Sequence, residues 1–141
     1  MVFLQTEFDE RCGQFSPDGR WVAYQSNESG RTEVYVRPFP GQGAQWQIST
    51  AGGSWPRWKS DGQELYYLSP DSQMMAARIQ VNGRTLEPSN PIALFPTRIN
   101  LAGVRPQYDV ARDGRFLINV TGEDAAPSPI TLLLNWHPPS N

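Results

Sequence analysis

A chain of 141 residues has room for one domain with a sizeable core. Its formal charge of −2, with no run of Lys or Arg, excludes the basic balance of a nucleic-acid binder, and no stretch approaches the roughly 18 consecutive apolar residues that span a bilayer. Thirteen Pro and 12 Gly beside five Trp, five Tyr and six Phe favour short strands joined by turns, so an all-β fold is expected.

In chain order, the first predicted element is an apolar strand at residues 2–6, similar in pattern to residues 46–50. It has neither the basic start nor the long apolar stretch of a signal peptide. Cys12 follows, a lone cysteine that cannot form an internal disulfide, read as a small residue at a strand start; it leaves the localisation open. Strands are then predicted at 14–15, 21–25, 33–37 and 46–50, the last stopping at Ala51-Gly52-Gly53. These four form a unit of about residues 9–50. A second unit, about 51–98, takes strands at 57–58, 64–68, 74–81 and 92–95. Residues 71–77 are the only stretch that passes for a helical turn, Asn82-Gly83 marks a turn, and 86–91 reads as an inserted loop. A third unit, about 99–136, has strands at 108–111, 115–120 and 130–136 and lacks a fourth.

One motif punctuates all three units. Ser16-Pro17-Asp18-Gly19, Ser60-Asp61-Gly62 and Arg112-Asp113-Gly114 each stand between two strands, with their Asp residues 43 and 52 positions apart. Asp bonds local backbone amides, and Gly takes the positive φ that releases the chain into the next strand. Asp18, Gly19, Asp61, Gly62, Asp113 and Gly114 are therefore expected to build turns, each Asp serving its own unit, with no metal and no cofactor. The spacing is that of a four-stranded β-propeller blade. Three blades are too few for a closed ring, which typically uses about 4–8. The aromatic stripe of Trp21, Tyr24, Tyr35, Trp58, Tyr66 and Tyr67 is expected to pack between blades.

Residues 15–24, Phe-Ser-Pro-Asp-Gly-Arg-Trp-Val-Ala-Tyr, followed by Glu-Val-Tyr-Val at 33–36, resemble the repeat of TolB-type six-bladed propellers. The same repeat occurs in propellers that precede prolyl oligopeptidase and dipeptidyl peptidase catalytic domains. With residues 3–6, 25–30, 36–40 and 134–136, the chain is most similar to the C-terminal propeller of bacterial, acidobacterial-type serine/threonine protein kinases. That resemblance implies a sensor or docking module, extracytoplasmic where the kinase spans a membrane. It implies no kinase activity here, because the nucleotide loop and the His-Arg-Asp and Asp-Phe-Gly motifs are missing from this sequence. The peptidases' Gly-x-Ser-x-Gly elbow is missing too. Six blades imply two chains per ring: residues 2–6 of one would add beside 130–136 of its partner, giving a homodimer.

Catalysis needs a base, and the one histidine, His137, precedes Pro138-Pro139 in an expected tail, while Glu123-Asp124 falls in a polar loop. A binding module needs only a decorated face. Loops 7–13, 51–56 and 97–106 are expected around the channel mouth, where Asp9, Arg11, Trp55, Arg57 and Arg105 would meet a peptide segment or a small polar ligand. Against that reading, Arg57 and Asp9 would form a structural ion pair across blades. Non-catalytic recognition of a protein, peptide or small ligand is the leading expectation. The alternatives are a hydrolase using carboxylates at the channel mouth and a purely structural assembly unit.

Overall fold

The computed structural model describes residues 6–41, 43–103 and 105–120, together with the backbone of 130–133. These residues form strands and turns, with no helix among them, in three antiparallel sheets. The first has the order β1 (Arg11–Phe15), β2 (Trp21–Ser26), β3 (Glu33–Pro38), β4 (Trp46–Gln47). The second runs β5 (Ser54–Trp58), β6 (Glu64–Leu68), β7 (Gln73–Asn82), and β7 then pairs with both β8 (Thr85–Pro88) and β9 (Ile92–Pro96). The third has three strands, β10 (Tyr108–Val110), β11 (Phe116–Asn119) and β12 (Ile130–Leu133).

The sheets stack because side chains alternate. Trp21, Ala23, Val34 and Val36 of the first sheet meet Leu65, Tyr67, Ala77 and Ile79 of the second in one buried layer. Tyr66, Leu68 and Met74 leave the second sheet on its other face and meet Tyr108, Phe116 and Ile118 of the third. The middle sheet is thus covered on both sides, which is why Leu65 to Leu68 reads as an unbroken apolar run. Tyr24 and Tyr35 stack at 5.9 Å on the far face of the first sheet, away from the second. The two outer flanks stay apolar, with Phe15 58% exposed on the first sheet and Leu117 44% exposed on the third.

Several expected elements change. Residues 71–77 contain no helical turn. Ser69-Pro70-Asp71-Ser72 instead repeats the Ser-Pro-Asp turn, with Ser72 at φ 62° where the other copies hold Gly, and β7 starts at once. The strand predicted at 46–50 shortens to β4, although the Ile48 amide still donates to the Val34 carbonyl at 2.8 Å. The loop expected at 86–91 is in part β8, a hairpin partner of β7. Residues 2–5 of the N-terminal strand, the stretch 123–129 with Glu123 and Asp124, residues 134–136 and His137 lie outside the described residues.

The link from the first sheet to the second is held by Glu33, which is 1% exposed. Its carboxylate accepts from the Arg31 Nε (2.6 Å), the Gly52 amide (3.0 Å) and the Ser49 hydroxyl. Glu33→Ala strands two buried donors, and a loss of about 2–4 kcal/mol in urea denaturation is expected. Glu33→Gln keeps an acceptor and should recover part of that loss. Equal stability of the wild-type and Ala chains would remove Glu33 from this role.

Candidate functional site

The inner strands β1, β5 and β10 carry the candidate residues. β1 and β5 share an irregularity: each loses register, between Arg11 and Gln14 and between Ser54 and Arg57. At the corresponding positions Cys12 and Trp55 take φ 57° and 56°, a left-handed step rare for side chains of their kind. The step turns the Trp55 peptide out of its own ladder. Its amide donates to Gln25 Oε1 of β2 at 2.9 Å, and its carbonyl accepts the Tyr108 hydroxyl of β10 at 2.6 Å.

Trp55 is therefore no exposed platform. Its side chain is 4% exposed and belongs to the layer between the second and third sheets. Arg57 lies within β5. Its Nε stands 3.4 Å from the Asp109 carboxylate, its Nη1 donates to the Pro56 carbonyl at 3.1 Å, and its guanidinium lies 6.0 Å from the Tyr108 ring. The pairing weighed between Arg57 and Asp9 is replaced by two others, Arg57 with Asp109 and Arg11 with Asp9 at 2.7 Å. The Asp9 amide donates to Asn27 Oδ1 at 3.0 Å, tying the pair to the turn after β2. Arg105 is exposed, and no hydrogen bond or ion pair joins its guanidinium to this group among the described residues.

The structure adds Cys12, Tyr108 and Asp109 to the group. Burial pushes the Cys12 thiol up, against the pull of the Arg57 and Arg11 charges. Burial also raises the Tyr108 phenol, which stays protonated and keeps its bond to Trp55. Nothing in a Cys or Trp side chain announces a left-handed step. The one available signal is that Cys12 and Trp55 stand 43 residues apart, the same interval as Asp18 and Asp61.

The Asp-Gly turns lie at the other end of the inner strands. Gly19, Gly62 and Gly114 have φ of 69°, 72° and 86°. Asp18 accepts the Arg20 amide at 3.1 Å, Asp61 the Gln63 amide at 2.9 Å and Asp113 the Arg115 amide at 3.2 Å. Each carboxylate thus closes its own turn. Among the described residues, no three His, Cys, Asp or Glu side chains come together as a metal cluster.

No protein-family model matches the chain, and no curated protein matches it in sequence. Among solved structures it matches TolB from Acinetobacter baumannii, with a TM-score of 0.57 and 16% identity, over 82% of this chain and 27% of that one. The likeness shows a TolB-like β-propeller fold, of which the chain spans little more than a quarter of its neighbour's length.

Proposed function

We propose that the chain is a non-catalytic recognition module, an arc of a propeller that takes a peptide segment or a small polar ligand where Arg11 and Arg57 flank Cys12. The observation that carries this reading is the seating of Arg57. It is held by a backbone carbonyl and a ring face, while its carboxylate partner Asp109 stays 71% exposed and can yield to an incoming anion. The likeness of the repeat to kinase-borne propellers supports a sensor or docking role within a larger assembly. The hydrolase reading gains no observation from Asp9 and Asp109, which are exposed and ion-paired.

The ring is completed by a second copy of the chain. Two exposed flanks, at Phe15 and Leu117, and a third sheet that has three strands among the described residues support this closure. An open strand edge and apolar faces invite pairing. Light scattering should give a mass near twice 15.8 kDa, and removal of residues 1–6 should abolish it. A folded monomer that tolerates that removal overturns the assembly. In a peptide array, Arg57→Ala and Arg11→Ala should weaken captured sequences by about tenfold with the fold intact. Undiminished capture by both variants removes this face.

A further inference from the structure

The longer spacing of the second repeat, 52 residues against 43, is spent on a hairpin. β7 runs on beside β8 through Gly83, whose φ of 65° suits the first position of a two-residue hairpin turn. Ile79 and Leu86 bury themselves in the first layer, while Val81 remains 38% exposed. Two bonds lock the hairpin against the Asp-Gly turns: Arg20 Nη2 donates to the Gly83 carbonyl at 2.9 Å, and the Ile79 amide to the Gln63 carbonyl at 2.8 Å. Between hairpin and turns lies a cleft of about 450 Å³, walled by Pro17, Asp18, Trp21, Asp61, Ile79 and Val81. That volume falls in the range of ligand sites.

Two features of its wall are left over from folding. Trp21 is 3% exposed, and its indole N–H has no acceptor among the described residues. Buried donors in native proteins are nearly always paired, so an unpaired one asks for a partner the fold does not supply. The second is the charge on Asp18. In the third turn Arg115 folds back onto Asp113, Nε to Oδ2 at 2.7 Å. In the first turn Arg20 holds the same position but is drawn away to Gly83, and Asp18 has no ion pair among the described residues. The Ser16 hydroxyl donates to its Oδ1 at 2.6 Å and, as the largest cause, holds the carboxyl below its ordinary range, so it is ionised at neutral pH. Its other oxygen is left for a ligand.

We propose that this cleft binds a lysine or arginine side chain of an extended peptide segment. The alkyl stem lies along Ile79 and Val81, and a peptide carbonyl of the segment accepts from the Trp21 indole. The cationic head meets Asp18, with Asp61, whose Oδ2 stands 3.3 Å from Lys59 Nζ, as a second carboxylate beside it. This site stands apart from the channel mouth, at the opposite end of the inner strands, and does not depend on ligand binding there.

The test uses the whole chain labelled with ¹⁵N and three blocked tripeptides, acetyl-Gly-Lys-Gly-amide and its Arg and norleucine counterparts. One indole N–H signal, assigned by its loss in Trp21→Phe, should move downfield as the Lys or Arg peptide is added. Asp18→Asn combined with Asp61→Asn retains the acceptor each turn needs and removes the charge; affinity should fall at least about tenfold. Asp113→Asn, in the equivalent turn outside the cleft, should leave binding unchanged. Should the double variant misfold, the norleucine peptide decides on the wild-type chain, where it should bind at least about tenfold more weakly than the Lys peptide. An indole signal that never moves, or equal binding of the Lys and norleucine peptides, overturns the proposal.

Discussion

Trp55→Ala should cost about 3–5 kcal/mol and lower the melting temperature by roughly 10–17 °C, rather than weaken a ligand while sparing the fold. The indole is 4% exposed and fills the layer shared with Tyr66, Met74, Tyr108 and Phe116, so truncation leaves a cavity between two sheets. Its backbone adds a signature. At an ordinary strand position Gly is worse than Ala by about 0.5–1 kcal/mol. At φ 56° the left-handed step penalises any Cβ by about 1–2 kcal/mol, so Trp55→Gly should be no less stable than Trp55→Ala. Thermal melts of the two variants check both points. A Trp55→Ala chain as stable as wild type would mean the ring is not in the core.

Gly52→Ala should be of similar size, about 2–5 kcal/mol, because strain and collision coincide. Gly52 has φ 91°, and a Cβ there would stand 2.4 Å from Pro70 Cγ in the turn after β6. A proline ring is closed on its own backbone and cannot swing aside as a flexible side chain does, so relieving the contact means shifting the turn itself. Gly19→Ala is the control: φ is 69°, but the added carbon meets nothing within 4 Å, so only the strain of about 1–2 kcal/mol should appear. If urea midpoints fall equally for the two variants, the contact with Pro70 is not what constrains Gly52.

The three repeated turns were legible because a residue type reports a dihedral there: Gly follows Asp at Gly19, Gly62 and Gly114, where the chain passes through positive φ. The strands were legible from β-branched and aromatic runs between those turns. The hairpin of β8 was not, since one buried residue, Leu86, lies among exposed neighbours and leaves no alternating pattern. Its Asn82-Gly83 turn was visible, but the return strand was not. The reuse of Ser-Pro-Asp at Ser69 to Asp71 was masked by Ser72, which replaces Gly and donates its hydroxyl to the Ile99 carbonyl at 2.7 Å. At the candidate site, Asp9 lies ahead of β1 in the stretch read as a loop, whereas Arg11 already stands in β1 and Trp55 in β5. Gly52, Gly53 and Pro56 around it read as an exposed link, yet the chain there is already strand. Asp109 went unnoticed because its partner stands 52 positions earlier, beyond any local pattern.

The broken registers of β1 and β5 are what join one blade to the next. A strand whose amides and carbonyls all served its own ladder would have none to lend, and beyond links such as that of Glu33 to Gly52 neighbouring sheets would rest on greasy contact. Where β5 steps out of line, its peptide clasps Gln25 on one side and Tyr108 on the other, while the Trp58 indole reaches back to the Gln14 carbonyl at 3.1 Å. Nearest-neighbour coupling decides whether a repeat protein melts as one body or frays unit by unit. A local fault in the first and second sheets is thus mortar between neighbours, and sliding one sheet past another means breaking directional bonds, not merely shearing oil.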